Sequence, residues 1–386
     1  MGEINKKVIF NSMENKKSFD IKSFDFTAAN LPTFEEVVSN KDWVLWGGDN
    51  MWCNHSIALY NYSPTLRSAL NSVLDAVIGR GMLINGVDGN KVLANGTESY
   101  YDIFKKAATD FVIHNGFTLN TVLRRDREGI AEVYHTDISK IRVGKSDEFD
   151  RIKEFWFSND WMNARGKYKP TELPAFDLNT EEGSQIWFYK TYQPSQFYYP
   201  VNSWIGCRVA AECQTEVFNY HINNLRNGYH SGTIFSMNNG VPSAEERTNI
   251  YRHLEDKFTS TNNAGNLIVT FSDDKDHEPT VIPIANNASP EMFSTLNETL
   301  QQAILTSVRI SNPSLLGIKT VQGLGSKDEM RDAYDHFLST LIIPVQEQLL
   351  REFEKLRFYQ TKEMVTITLI QNKLFADKAE EKEITV

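Results

Sequence analysis

The sequence is poor in cysteine, with Cys53, Cys207 and Cys213 the three in 386 residues. An odd, sparse set without C-x-x-C supports no disulfide framework. It fits a reducing compartment in which each thiol serves as a small buried hydrophobe. Long apolar runs are lacking as well. A stretch such as Leu341–Val345 falls far short of the ~20 residues that span a bilayer, so no membrane partner is expected. Met1–Lys17 is polar and rich in Lys and Asn, which does not read as a secretory signal. Gly2 is followed at the position that myristoylation reserves for Ser or Thr by Lys6, so that pattern fails too. Excess positive charge is also missing, because 40 Lys and Arg face 50 Asp and Glu for a net charge of −10. Tight nucleic-acid binding needs Lys and Arg to displace counterions, so this chain is a poor candidate for it. A surface that repels phosphate nevertheless lets DNA slide past without sticking.

Catalytic and cofactor motifs are equally scarce. The eight histidines form no H-E-x-x-H and no Cys/His metal spacing. Gly323-Leu324-Gly325-Ser326-Lys327 has the look of a phosphate loop but lacks G-x-x-x-x-G-K-[ST], and no strand leads into it. Ser231 does not sit in G-x-S-x-G. No catalytic residue, metal or cofactor is therefore expected. Asp273, Asp274, Asp276 and Glu278 cluster between two expected strands and could offer oxygen ligands to a divalent ion. Without a Gly inside an EF-hand-like spacing, a solvated hairpin turn is the preferred reading of this cluster.

Tryptophan is absent after Trp204, although seven precede or occupy that position, and this shift suggests a boundary near residue 200. A hydrophobic content of 41% with 23% charged residues is that of an ordinary globular chain long enough for more than one compact unit. The first part reads as α+β. Leu66, Leu70, Val73, Leu74 and Val77 predict a helix over 64–80 that Gly79 closes, and 99–113 is a second helix. Segments near 117–125, 131–143 and 151–158 are rich in Val, Ile, Thr and aromatics and predict a β-meander. A further strand is expected at 185–193, and 162–182, with Pro170 and Pro174, reads as loop.

The second part has a different plan. A long helix is expected over 201–227, with Ile205, Val209, Cys213, Val217 and Leu225 recurring at multiples of four and Gly228 as a stop. At ~1.5 Å per residue it would be roughly 40 Å long. A small insert follows, with strands at Thr233–Met237, Asn266–Ser272 and Thr280–Ala285 and a helix opened by the Ser243/Glu246 capping box. Ser289 and Pro290 start another long helix, with Met292, Leu296, Leu300, Ala303, Ser307 and Val308 on one face. After a glycine-rich loop at 312–326, Ser326 and Glu329 cap a third long helix that Pro344 should kink. Met364–Ile370 is a last strand and an acidic tail ends the chain. Two long helices separated by a small insert can lie side by side as a stalk.

Several of these runs are recognisable together. Asn227-Gly228, Gly232–Phe235, Asn239-Gly240-Val241-Pro242-Ser243 with Glu245-Glu246, and Asn262–Asn266 leading into Leu267–Phe271 resemble bacteriophage portal proteins. So do Ile310–Gly317, Gly323–Ser326 with Glu329, Phe337 and Pro344, and, earlier, Asn115-Gly116 with Asp126–Gly129. The resemblance spans roughly 60–360 and is densest from 200 to 345.

It implies an α+β portal-like fold. Residues 1–55 would be an N-terminal arm and 56–198 the wing, with its helices and meander. Residues 199–229 and 289–311 would be the stem helices, and 230–288 a small clip. Residues 312–326 would be the tunnel loop, 327–371 the kinked helix and wing strand, and 372–386 the acidic tail. Portal proteins form a closed ring, usually of twelve subunits, at a unique capsid vertex of the virion. They assemble in the host cytoplasm. There they admit and release double-stranded DNA, docking the large terminase subunit and then neck or adaptor proteins, beside the major capsid protein. Gly317, Lys319, Val321, Gly323, Leu324 and Gly325 would line the tunnel loop. Arg208, Glu212, Glu216, Arg226, Glu298 and Arg309 are candidate contacts between stems. Asp273, Asp274, Asp276 and Glu278 would form an acidic docking tip on the clip. Two other readings stay open at this point: a different head or neck structural protein, and a metal-dependent enzyme of unknown type.

Overall fold

The computed structural model describes residues 34–180, 183–226, 233–237, 242–243, 245–250, 252, 267–271, 280–283, 290–310, 313–316 and 326–372. Two units divide the chain, one made of Asn30–Glu216 with Phe293–Val386 and one built on Val217–Met292. The element order is β1 (Glu36–Val38), β2 (Val44–Trp46), α1 (Trp52–Tyr62), α2 (Pro64–Ile78), β3 (Gly81–Ile84), β4 (Val87–Asp88) and α3 (Tyr100–His114). Strands β5 (Gly116–Leu123), β6 (Ile130–Thr136), β7 (Ile141–Val143), β8 (Glu154–Phe157), β9 (Thr171–Pro174) and β10 (Ser184–Lys190) follow, then α4 (Arg208–Arg226). The insert contributes β11 (Thr233–Met237), β12 (Leu267–Phe271) and β13 (Thr280–Pro283). The chain then runs through α5 (Pro290–Ser307), α6 (Lys327–Phe337), α7 (Ile343–Thr361) and β14 (Ile367–Ile370).

Local chemistry explains the borders of the larger unit's helices. Ser63 caps α2 by accepting from the Leu66 amide, and Pro64 takes the first helical position, where no N–H is needed. Gly79 ends the helix at φ +67 and ψ −160, a conformation open essentially to glycine alone. Helix α3 opens on a full capping box between Ser99 and Asp102 and closes on Asn115 in the left-handed region. Its buried face carries Ile103, Phe104, Ala107, Ala108 and Phe111, and Phe104 meets Phe353 of α7 edge-on at 5.3 Å. Each such large side chain contributes roughly 1.5–3 kcal/mol by leaving water. Leu349, Phe353 and Leu356 bring α7 into the same core as Phe117, Leu119 and Val133 of β5 and β6. A second core gathers Val44, Trp46, Trp52, Cys53, Ile138, Ile141, Val143, Phe155 and Tyr199. At its centre Trp46 stacks on Tyr199 at 4.5 Å.

The expected meander divides between two sheets. β5 pairs with β6 on one side and β10 on the other, while β7, β8 and β9 form a separate antiparallel sheet. The break falls at Ile138–Lys140, a 3₁₀ turn that Asp137 starts by accepting from the Ser139 amide. Part of the expected 162–182 loop is strand, since β9 pairs along β8 and ends at Pro174 on the sheet's open edge. The last strand pairs with β3, Ile367 opposite Ile84 and Ile370 opposite Gly81.

The long helix expected over 201–227 starts later than its pattern suggests, at Arg208 after a 3₁₀ turn at Ile205–Cys207. Tertiary bonds hold the residues before it out of helix. Asn202 and Trp204 both donate to the Ile113 carbonyl, at 2.6 and 3.0 Å, and Asn202 also accepts from the Trp52 indole at 2.8 Å. In the insert unit, β11 runs parallel to β12 and antiparallel to β13, in the order β12-β11-β13. The Ser243/Glu246 capping box is present ahead of a helical stretch at 245–250. Ser289 lies outside the described residues, and Pro290 is the first residue of α5. The Ser326/Glu329 capping box opens α6. Near Pro344, where a kink is expected, the helix passes through a π-turn at Leu338–Ile342, closed by the Ile343 amide on the Leu338 carbonyl, with Pro344 just beyond it.

Candidate functional site

Within the larger unit, the first half of α4 and the second half of α5 lie side by side. A Cβ on Gly206 would sit 3.2 Å from Ser307 Oγ, and Gln214 Nε2 donates to Asn297 Oδ1 at 3.5 Å. As the number rises along one helix it falls along the other, so the pair is antiparallel. Ala211, Ile304, Leu305 and Val308 seal it onto the main core. Gln214, 2% exposed, is the polar hub of this junction. It accepts from Ser63 Oγ at 2.7 Å and donates to Thr65 Oγ1 at 2.8 Å, which ties α4 to the start of α2.

The buried face of α4 is set by Arg208, Ala211 and Gln214, in line with Cys207 in the turn before it. The apolar stripe read from the sequence lies elsewhere, since Val209 is 63% exposed and Ile205, Cys213 and Val217 are half-buried. Four-residue spacing identifies which residues share a face. It does not tell which face has a neighbour within the chain. On α5, Leu300 and Val308 of the expected face are buried, Ile304 and Leu305 join them, and Ala303 is exposed.

The six candidate stem contacts separate into different settings. Arg208 is 8% exposed, lies over the Trp52 ring at 4.4 Å and pairs with Glu212 at 3.1 Å, so both are engaged inside their own chain. Glu216 and Glu298 are on the surface. Arg309 ends α5 with φ +66, and its guanidinium donates to the Thr340 carbonyl at 2.9 Å. Arg226 is the last residue of α4, and its side chain lies outside the described residues. The tunnel-loop candidates Gly317, Lys319, Val321, Gly323, Leu324 and Gly325 also lie outside them, as do Asp273, Asp274, Asp276 and Glu278.

Beside the helix pair runs an open groove of ~660 Å³ bordered by Gly206, Glu298, Gln302, Ala303 and Thr306. A smaller cavity of ~170 Å³ lies under the end of α5, between Val73, Phe111, Val308, Arg309, Leu341 and Val345. The groove is a shallow surface. Among the described residues no group of three or more His, Cys, Asp or Glu could hold a metal ion. No helix among them is long and apolar enough to cross a membrane.

Buried titratable groups here serve packing. Arg142 is fully buried, donates to Asn50 and to the carbonyls of Ser139 and Ile141, and lies over Trp161 at 4.8 Å. Burial lowers its pKa, raises that of the Cys53 thiol and brings His114 down to about 4. Asp110, raised by burial, accepts from the Ile138 amide and meets His135 at 2.9 Å. Sequence reasoning missed Gln214, Asn202 and Arg142. The one local sign is a polar residue on an inward helical or strand position, which a sequence alone does not mark as inward.

No protein-family model matches the chain, and no curated protein sequence matches it. Its fold is nevertheless shared with particle components. A chain of the virion of the native gene transfer agent (GTA) particle superposes with a TM-score of 0.54 at 12% identity, over 85% of this chain and 87% of that one. A chain in the neck of the native GTA particle, computed with C12 symmetry, gives 0.53 at 12% identity, over 85% and 86%. An HK97 family phage portal protein from Corynebacterium diphtheriae gives 0.44 at 12% identity over 82% and 94%, a likeness too loose to support an argument. At this identity the GTA chains establish a common α+β fold.

Proposed function

We propose that this chain is a portal-type subunit. Copies of it would close into a ring at one vertex of a virion and leave a channel for double-stranded DNA. The observation that carries this reading is the common fold along 85% of the chain with a GTA neck component whose particle was computed with C12 symmetry. The antiparallel pair of α4 and α5, flanking a three-stranded insert in sequence, supports it from the chain's own architecture. A ring is a head-to-tail interface that happens to close, so each copy needs two different complementary faces. The exposed Val209 side of α4 and the open groove along α5 are our candidates.

In this reading 199–229 and 289–311 are the stem and 230–288 the clip. The rest of the chain before 312 is arm and wing, 312–326 the tunnel loop, and 327–371 the kinked helix with the wing strand. Glu216, Glu298 and Arg226 remain the stem contacts of choice. Arg208 and Glu212 act inside the subunit. Lys319, with Gly317, Val321, Gly323, Leu324 and Gly325, would touch the moving duplex through phosphate and apolar contacts without reading sequence. The acidic residues Asp273, Asp274, Asp276 and Glu278 would dock a partner at the clip. Terminase, neck or adaptor proteins and the capsid shell are the partners, and the subunit itself catalyses nothing.

Native mass spectrometry and negative-stain imaging of the purified chain test this. A ring with a hole wide enough for B-DNA is the expected result, and a protein that stays monomeric under all conditions refutes it. Deleting Gly317–Gly325 should leave rings intact and impair DNA packaging or retention, whereas loss of rings would make that loop a structural one. A different neck component is the second reading, because the likeness is to chains of a GTA virion and neck at 12% identity, which shows a fold and not a particular component. A ring without such a hole favours it.

A further inference from the structure

Pro344 lies in the first turn of α7, just past the π-turn at Leu338–Ile342. Proline has no N–H, so the carbonyl one α-turn earlier, that of Thr340, receives no helical donor from position 344. The structure supplies one from elsewhere, as Arg309 Nη2 donates to that carbonyl at 2.9 Å. The two hydroxyls in this stretch turn back on the preceding turn, Ser339 Oγ and Thr340 Oγ1 both donating to the His336 carbonyl at 3.1 and 2.7 Å. Arg309 itself is held in an unusual state. It occupies the left-handed position at the end of α5, with the Ile310 amide bonded back to the Leu305 carbonyl at 2.9 Å. Beneath it lies the ~170 Å³ cavity bounded by Val308, Leu341 and Val345, which leaves room for the two elements to shift against each other.

We infer that Arg309 is a latch whose guanidinium stands in for the amide Pro344 lacks, and so couples the end of α5 to the direction in which α6 meets α7. A displacement of the α5 end pulls on the Thr340 carbonyl, and the π-turn beside it responds. Removing the guanidinium frees α6 to swing about the π-turn.

Hydrogen exchange of the full chain, read on peptides covering 337–346 and, as an internal reference, 100–114, tests this in two backgrounds. Arg309→Ala should speed exchange over 337–346 about five- to tenfold while the reference changes little, in keeping with the loss of a charge-assisted hydrogen bond at a partly exposed site. Arg309→Gly suits the left-handed backbone and so relieves strain. It should loosen the same peptide as much as Ala does, which separates the latch from the helix end. Pro344→Ala returns the amide to Thr340, and in that background Arg309→Ala should change exchange less than about twofold. Equal effects of Arg309→Ala with and without Pro344, or no effect with Pro344 in place, overturn the inference.

Discussion

At the scale of single residues, burial without a partner is what makes His114 informative. The side chain is 3% exposed, its Nδ1 has no hydrogen-bond partner among the described residues, and Trp46 covers it with ring centroids 6.2 Å apart. Burial lowers its pKa from 6.5 to about 4. Between those two values the unfolded chain carries a proton there that the folded chain rejects, so stability rises with pH across the window. The His114 contribution is fully present above pH 6.5 and lost progressively down to about pH 4. The loss is on the order of 3 kcal/mol. Urea unfolding at pH 7.5 and 4.5 should therefore show a smaller difference for His114→Phe than for the parent, and an identical difference would show that the imidazole does not stay neutral in the fold.

Two glycines make a matched pair at the same scale. Gly79 and Gly86 both have positive φ, +67 and +81. A Cβ on Gly79 would lie 2.5 Å from the Ile370 carbonyl oxygen, whereas on Gly86 it meets nothing within 4 Å. Gly86→Ala should cost about 1 kcal/mol, from backbone alone. Gly79→Ala should cost several times that, because the clash is with the backbone of β14 and only displacement of that strand relieves it. Thermal melts of the two variants check the ordering.

At the scale of elements, the junction of α2, α4 and α5 depends on one amide side chain. Gln214→Leu keeps the size but strands Ser63 and Thr65, and a cost of about 2–3 kcal/mol is expected. Ser63→Ala in that background should still cost about 1 kcal/mol, the N-cap bond to the Leu66 amide, but less than in the parent, since the hydroxyl has already lost Gln214. A double-mutant cycle by urea unfolding reads this coupling. Elements also show what was legible in the sequence. Helix starts were, wherever the signal is a local reaction of side chain with backbone, as at Ser243/Glu246 and Ser326/Glu329. A break near Pro344 was, and it takes the form of a π-turn just ahead of the proline. Strand β3 was not, since Gly81–Ile84 finds its partner in Ile367–Ile370, far away in the chain. Nor was the late start of α4, which Ile113 and Trp52 impose through Asn202. Of the candidate site, the helix pair was readable from pattern, while Gln214, Asn297 and the inward Arg208 depend on neighbours that no local pattern names.

At the scale of the whole molecule, the misplaced stripe becomes useful. Val209 stands exposed on a row whose other described members, Ile205, Cys213 and Val217, are half-buried, and a ring contact would cover it. Val209→Asp should leave the subunit's melting temperature within about a degree or two, because a residue 63% exposed contributes little to the isolated fold. The same change should deplete rings in native mass spectra. Intact rings from Val209→Asp would move the contact to another face.

The larger unit is assembled from two stretches of chain, with Val217–Met292 between them. Its core lacks Leu349, Phe353 and Leu356, and β3 has β4 but not β14 beside it, until residues 343–370 have been translated. On the ribosome the chain therefore carries an apolar half-core and a strand edge without its partner while the inserted segment has already been made. Such a nascent chain is a natural client for holding chaperones. A message cut short before β14 should yield aggregate and no partially working subunit, a quality check imposed by the order in which the residues are made.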